Sequence, residues 1–496
     1  MPVTREKADY HEKTSIAEFI GNPLIAALPG SVPQSEMLKK LIKLPPHDKE
    51  DCFKDAYDRL QLLSRICTVH IPFSQDLFIA RSLSRCINWG YVSRNPIPFS
   101  VTANVLSAHQ IDVTQDLENY LTHTVFPIYG FSVLGISGVG KSSSVLNALR
   151  QYTQVIEHET YADQPFKCSQ LVWLKVDCPG DGTPKGLCTT ILREVDAVLG
   201  TQYTSEIYSR ISKDTLISKV AMCLSSHHLG VLVIDDIQNL CGAKKDTSLD
   251  MLSFLIYLME SFAIPVVMVG TPKVLTLFQQ EFQMAKRATG DGTVRMELLK
   301  KDSSDWNRFI NTIWYYQFIR NPVALTPEMN DVFYEESVGN PFLCSLLYKL
   351  VQDDAITSNA ESFTLTDVKK VAEEKLCITA TMRKNMLSGN DEELKRYEYL
   401  WRSAELPVPE LSNPISKPAV SDEKSETLSY LVKKLTENKS INIAEAAKLA
   451  QIAMEAKPGC SGYELLGFAR KYYDSTKPSA ENQQLPSGSE HPLTER

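Results

Sequence analysis

The spacing of apolar residues changes character twice along this chain. Between residues 101 and 300, short apolar runs alternate with amphipathic stretches. Compact apolar runs bounded by turn residues read as buried strands, and apolar positions at i, i+3, i+4 and i+7 read as one helix face. The runs predict strands at Phe131–Ile136, Gln170–Val176, Val231–Ile234 and Pro265–Val269. The stretches between them predict helices over Lys141–Tyr152, Thr183–Leu199, Lys213–Ser225 and Ser248–Phe262. Such alternation marks an α/β domain built on a parallel sheet. From 303 to 376 the pattern is helical throughout, with Trp306, Phe309, Ile310 and Ile313 on one stripe.

The flanks read differently. Residues 1–100 predict a mainly helical, loop-rich module with turns at Pro23, Pro29, Pro45-Pro46 and Pro72. Residues 404–426 are rich in Pro, Ser, Glu and Lys and read as a linker. Beyond it, Leu428, Leu431, Val432 and Leu435 make one helical stripe, and Tyr463, Leu466, Phe468 and Tyr472 suggest another. Docking on a partner and packing on the body both fit these stripes. The expected divisions are 1–100, 101–302 for the α/β domain, 303–403 for a helical lid and following helices, 404–426, 427–475, and a polar, disordered tail over 476–496.

Composition narrows the class. The chain has 496 residues, of which 43% are hydrophobic and 23% charged, as in ordinary globular proteins. No apolar run approaches the ~20 residues of a membrane span, and Met1 to Tyr10 lacks a secretory h-region. The 11 cysteines include no C-x-x-C pair, which favours reduced thiols in a cytosol over disulfides or zinc. A net charge of −8 requires any nucleic-acid contact to be local.

The chemistry concentrates after the first strand. Gly135-Ile136-Ser137-Gly138-Val139-Gly140-Lys141-Ser142 matches G-x-x-x-x-G-K-S between a predicted strand and a predicted helix. This is a P-loop: Gly135 and Gly140 are expected to turn the backbone, and the loop N–H groups to face phosphate at a helix start. Gly135, Ser137, Gly138, Val139, Gly140, Lys141, Ser142 and Ser143 are the candidate ATP/ADP residues, with Lys141 on the β/γ-phosphates and Ser142 on Mg²⁺. Val231-Leu232-Val233-Ile234-Asp235-Asp236 supplies the acidic strand such a site needs, with Asp235 the second expected Mg²⁺ residue.

Asp236 stands where most such ATPases carry Glu to orient the attacking water. Its side chain is shorter by one C–C bond, about 1.5 Å, which predicts slow hydrolysis and a switch-like use of ATP. Thr271 ends the next strand and reads either as a γ-phosphate sensor or as a cap before Pro272. Arg287 is the candidate arginine offered to a neighbouring subunit, with Arg295 the second choice; both also fit as surface charges. A P-loop domain followed by a helical lid is the AAA+ arrangement.

The N-terminal residues add a likeness. Asn22-Pro23-Leu24-Ile25-Ala26-Ala27-Leu28-Pro29 resembles N-P-x-I-x-A-L-P, and Gly90-Tyr91-Val92-Ser93-Arg94-Asn95-Pro96 resembles G-Y-V-x-R-N-P, two motifs of the TnsC family of AAA+ transposition regulators. Leu232 to Gln238 resembles that family's L-V-I-D-E-I-Q with Asp at the Glu position, and Val269 to Lys273 resembles its I-G-T-P-K. The likeness spans roughly residues 15–350. It implies a cytoplasmic, nucleoid-associated bacterial ATPase that forms a homo-oligomeric ring or filament on duplex DNA. It implies coupling of a TniQ- or TnsD-like target selector, met by the N-terminal module, to TnsA- or TnsB-like transposase subunits, met by the C-terminal region.

By the same likeness DNA backbone contacts come from the stretch Lys175 to Lys185, with Lys185 the leading candidate and Lys213 a weaker one. Tyr91 and Arg94 are candidates for the base pocket, as are Gly339 and Pro341 of a G-x-P turn. That turn resembles STAND signalling ATPases, so a STAND-type switch is an alternative; a replication initiator or helicase loader is another.

Overall fold

The structure is a computed structural model. It describes residues 3–388, apart from 12–13, 15, 31, 110, 112, 125, 127, 129, 208–210, 279–285 and 287–289, and residues 443–456. The chain divides into two compact units, Met1–Glu405 and Leu406–Arg496. In the second, only a helix at Ile443–Ala456 is described. The expected linker, most of the region 427–475 and the tail lie outside the described residues.

The centre of the first unit is a five-stranded parallel sheet. Its strands are β2 (Phe131–Gly135), β5 (Trp173–Asp177), β6 (Val231–Asp235), β7 (Val266–Gly270) and β8 (Thr293–Met296), in the order β5-β6-β7-β2-β8. β2, β6 and β7 are buried along their whole length, which is why they read as unbroken apolar runs. Helices Pro184–Leu199, Lys213–Ser226 and Lys245–Phe262 pack a Leu/Ile core on one face. Helices Ser74–Val92 and Lys141–Leu149 cover the other. This is the AAA+ P-loop fold with its helical lid.

A second sheet escaped the sequence reading. β3 (Val155–Tyr161) and β4 (Gln164–Leu171) form an antiparallel hairpin, and β1 (Arg5–Lys7) joins β3 in parallel. The expected strand Gln170–Val176 is therefore two strands. Val172 separates them: its N–H donates to Gln154 O in one direction, while its carbonyl accepts from Val231 N in the other.

The first hundred residues do not stand apart, contrary to the division at 100. β1 enters the small sheet, and helix Ser74–Val92 packs directly on the P-loop helix. Leu63, Ile66, Ile71 and Phe73 share the lid core with Trp306, Phe309, Ile310 and Phe333. Arg59 is buried and forms a two-pronged ion pair with Glu361, at 2.7 and 2.6 Å. The module is stapled to the lid because each would otherwise expose apolar surface.

Candidate nucleotide site

In parallel sheets ligands bind at the carboxyl ends of the strands. Strand order does the rest here. β7 lies between β6 and β2, so Thr271 emerges between the acidic pair Asp235-Asp236 and the loop 136–140. Residues spread over 135 positions thus meet along one sheet edge.

The loop turns at Gly140, as expected, and at Gly138 rather than Gly135. Gly138 and Gly140 carry the positive φ angles, +84° and +98°, and Gly140 caps the helix Lys141–Leu149. Gly135 does not turn the chain. It is the last residue of β2, where a Cβ would meet the Met296 carbonyl at 2.4 Å; glycine is needed for the close approach of β8. Val139 is buried in the core and holds the loop down, while Ser142 and Ser143 are exposed on the first helical turn. The Lys141 ammonium donates to the Ile136 carbonyl at 2.8 Å.

The lid turn sits on this loop. Asn340 is buried, its Nδ2 donates to the Ser137 carbonyl at 3.0 Å, and its Oδ1 accepts from the N–H groups of Phe342 and Leu343. The Phe342 N–H also reaches the Gly138 carbonyl at 3.3 Å. A Cβ at Gly138 would meet the Asn340 side chain at 2.8 Å. Gly339 and Pro341 flank this contact, so the structure brings the G-x-P turn to the loop. Asn340, the x of that motif, was passed over in the sequence.

The acidic end is also wired. Asp235 is buried; its Oδ2 lies 2.9 Å from the Lys175 ammonium, which also bonds Asp177 at 2.9 Å. Asp236 is exposed, with a left-handed backbone (φ +53°), and its carboxylate accepts from Gln238 Nε2 at 2.9 Å. Thr271 makes no cap to the short helix after it, and its buried hydroxyl has no hydrogen-bond partner among the described residues. The cap reading of Thr271 is therefore not met, and its orphaned hydroxyl lies at the carboxyl end of β7.

The donor set fits Mg²⁺, a hard cation that takes hydroxyl and carboxylate oxygens: Ser142 and Asp235 supply one of each. Among the described residues no other cluster of His, Cys, Asp and Glu suits a metal.

Tyr91 and Arg94 are not brought to this site. Tyr91 is buried and its hydroxyl donates to the His228 carbonyl at 2.9 Å. Arg94 lies over the Tyr91 ring and donates to the Leu229 carbonyl at 2.7 Å. Both contacts precede β6, at the opposite sheet edge, and a five-residue strand spans about 15 Å. The G-Y-V-x-R-N-P motif instead packs on the other N-terminal motif: Asn22 Nδ2 donates to Tyr91 O at 2.9 Å, and Asn95 Nδ2 to Gly21 O at 3.2 Å.

Lys185 is exposed on the first turn of helix Pro184–Leu199. Lys213 opens helix Lys213–Ser226 and is ion-paired with Asp250 at 2.8 Å, which weakens its case as a phosphate contact. Arg295 lies on β8 beside β2, within its own domain. Arg287 lies outside the described residues. The ten cysteines among the described residues are free thiols, and no helix among them is long and apolar enough to cross a membrane.

Residues 130–278 match the family model described as an AAA domain. No curated protein matches the chain. Among solved structures, a Walker-type ATPase of Pyrococcus abyssi is 15% identical, with 72% of this chain covering 87% of that one at a TM-score of 0.33. Cdc6p from Pyrobaculum aerophilum is 16% identical (72% and 83% covered, TM-score 0.36). The ORC2 protein of Aeropyrum pernix is 11% identical (70% and 79% covered, TM-score 0.36).

Proposed function

We propose that this AAA-type ATPase domain drives an ATP switch on duplex DNA: the chain assembles as a ring or filament with ATP bound and disassembles on slow hydrolysis. The observation that carries the ATP part is the meeting of the P-loop, Asp235-Asp236 and Thr271 at one sheet edge. Loop N–H groups and Lys141 take the phosphates. Mg²⁺, held by Ser142 and Asp235, would neutralise charge on the transferring phosphoryl group. Asp236 orients the water, and Thr271 reads the γ-phosphate through its hydroxyl. The water-orienting carboxylate is one methylene short, and a ~1 Å misplacement can cost about 10²-fold in rate. Asp236→Glu is expected to raise turnover; an unchanged rate would show that side-chain length is not limiting.

The DNA part rests on the N-terminal motifs resembling TnsC and on one structural link. Asn239 Nδ2 donates to the Cys178 carbonyl at 2.8 Å, which fastens the loop leading to Lys185 to the segment bearing Asp236. Phosphate held by Lys185 would thereby pull on the hydrolytic loop. On this reading the protein couples a TniQ- or TnsD-like selector to TnsA- or TnsB-like transposase subunits, and Arg287 of one subunit completes the site of the next.

The test is negative-stain microscopy and sedimentation with duplex DNA. ATP is expected to give rings or filaments, and Lys141→Ala none. Lys185→Glu should weaken duplex binding and flatten its salt dependence. Normal assembly of Lys141→Ala would overturn the switch.

A further inference from the structure

Gln238 lies two residues past the water-orienting carboxylate and its amide is used at both ends. Nε2 donates to Asp236 Oδ1 at 2.9 Å, and Oε1 accepts from the Thr271 N–H at 3.0 Å. One side chain therefore joins the loop after β6 to the end of β7, across 33 residues of sequence. The approach is built into β7. A Cβ at Gly270 would lie 2.7 Å from Gln238 Oε1 and 2.7 Å from Ile237 Cγ2, so any larger residue there would push the glutamine away.

The loop is held on its other flank as well. Asn239 bonds the Cys178 carbonyl, and the Asp236 N–H bonds Asp235 Oδ1 at 3.0 Å. With the backbone pinned, the remaining freedom of Asp236 is side-chain rotation. The bond from Gln238 restrains it by holding Oδ1. Thr271, whose N–H Gln238 holds, is the residue with the orphaned buried hydroxyl.

We propose that Gln238 is a positioning residue that links the γ-phosphate-reading end of β7 to the carboxylate orienting the attacking water. Any shift of Thr271 that follows the γ-phosphate is carried through a single planar amide to Asp236. The proposal rests on the hydrolytic reading of Asp236 and Thr271 given above.

The experiment compares Gln238→Glu, Gln238→Met and Asp236→Asn in the full chain, reading kcat, KM, ATP affinity and melting temperature. Gln238→Glu keeps an acceptor for the Thr271 N–H but has no donor for Asp236 and repels it. It is expected to lower kcat by about 10²-fold, the scale of a ~1 Å misplacement, with ATP affinity and melting temperature close to wild type. Gln238→Met, which loses both bonds, should lower kcat at least as far. In an Asp236→Asn background, Gln238→Glu should have no further effect on residual turnover.

Unchanged kcat in Gln238→Glu, with Asp236→Asn inactive, overturns the role of Gln238 alone. A parallel loss of kcat, affinity and melting temperature in both Gln238 variants would mark it as structural and overturn it equally. Full activity of Asp236→Asn would overturn the underlying reading of the site instead.

Discussion

The Asn340 amide donates to the Ser137 carbonyl at 3.0 Å, so the N-cap of lid helix Pro341–Thr357 is bonded to the P-loop itself. The same side chain caps helix Pro341–Thr357 through its oxygen. Loop and lid are thus one mechanical unit at this point. Asn340→Asp keeps the cap, since Asp and Asn cap equally well, but it loses the donor and brings a negative charge to a phosphate site. It should weaken ATP binding at least tenfold, by titration with a fluorescent analogue, with a modest stability loss. Asn340→Ala loses the cap and the bond to Ser137 and should cost about 2 kcal/mol, the sum of a cap and one ordinary hydrogen bond.

Lys175 stands against a buried carboxylate that is expected to face Mg²⁺. Removing a cation from a buried pair costs about 3–5 kcal/mol. Lys175→Met should therefore lower the urea midpoint strongly in EDTA. With Mg²⁺ and ATP the deficit should shrink, because Asp235 regains a positive neighbour. Equal deficits in both conditions would separate Lys175 from the nucleotide site.

The Arg59–Glu361 pair fixes the N-terminal helix Ala56–Leu62 to the lid. Arg59 holds the Glu361 carboxyl below its ordinary value near 4.5. A depressed carboxyl contributes stability that is complete above that ordinary value and is lost as pH falls through the folded-state value. Glu361→Gln keeps the shape but strands a buried guanidinium, and should destabilise by about 3–5 kcal/mol at neutral pH. The deficit should begin to narrow below about pH 4.5 and close as pH falls through the depressed folded-state value, as followed by chemical denaturation across pH.

His228 gives a second pH dependence of the same sign. Burial, then the nearby Arg94 charge, lowers its pKa from 6.5 to about 4. The unfolded chain binds a proton below pH 6.5 that the folded chain refuses until about pH 4. Stability should fall as pH drops through that window. His228 has φ +47°, a conformation asparagine tolerates, so His228→Asn should flatten the slope between pH 6.5 and 4 without unfolding the protein.

How far the sequence was legible depended on how far apart the interacting residues lie. The buried strands β2, β6 and β7 were found because burial on both faces demands contiguous apolar residues. The hairpin β3–β4 was missed because it is half exposed and turns at Ala162-Asp163, both at positive φ, where alanine hides the usual Asn-Gly signal. β8 has four residues, too few for a period. Tyr91 and Arg94 were base-pocket candidates, but their contacts to the His228 and Leu229 carbonyls lie at the other edge of the sheet. The contacts of Asn340 and Gln238 were not legible: Gln238 stands in a matched motif, but a single amide looks the same whether it caps, bridges or faces water.

The P-loop, the acidic strand and the α/β-then-helix order are each written in neighbouring residues whose spacing sets local conformation, so they can be read without a fold. Which groups meet depends on tertiary packing. Asn340 reaches Ser137 across 203 positions, and Lys175 reaches Asp235 because their strands are adjacent. Strand order and packing make those encounters, and both follow from burying the whole chain's apolar surface at once rather than from any one segment.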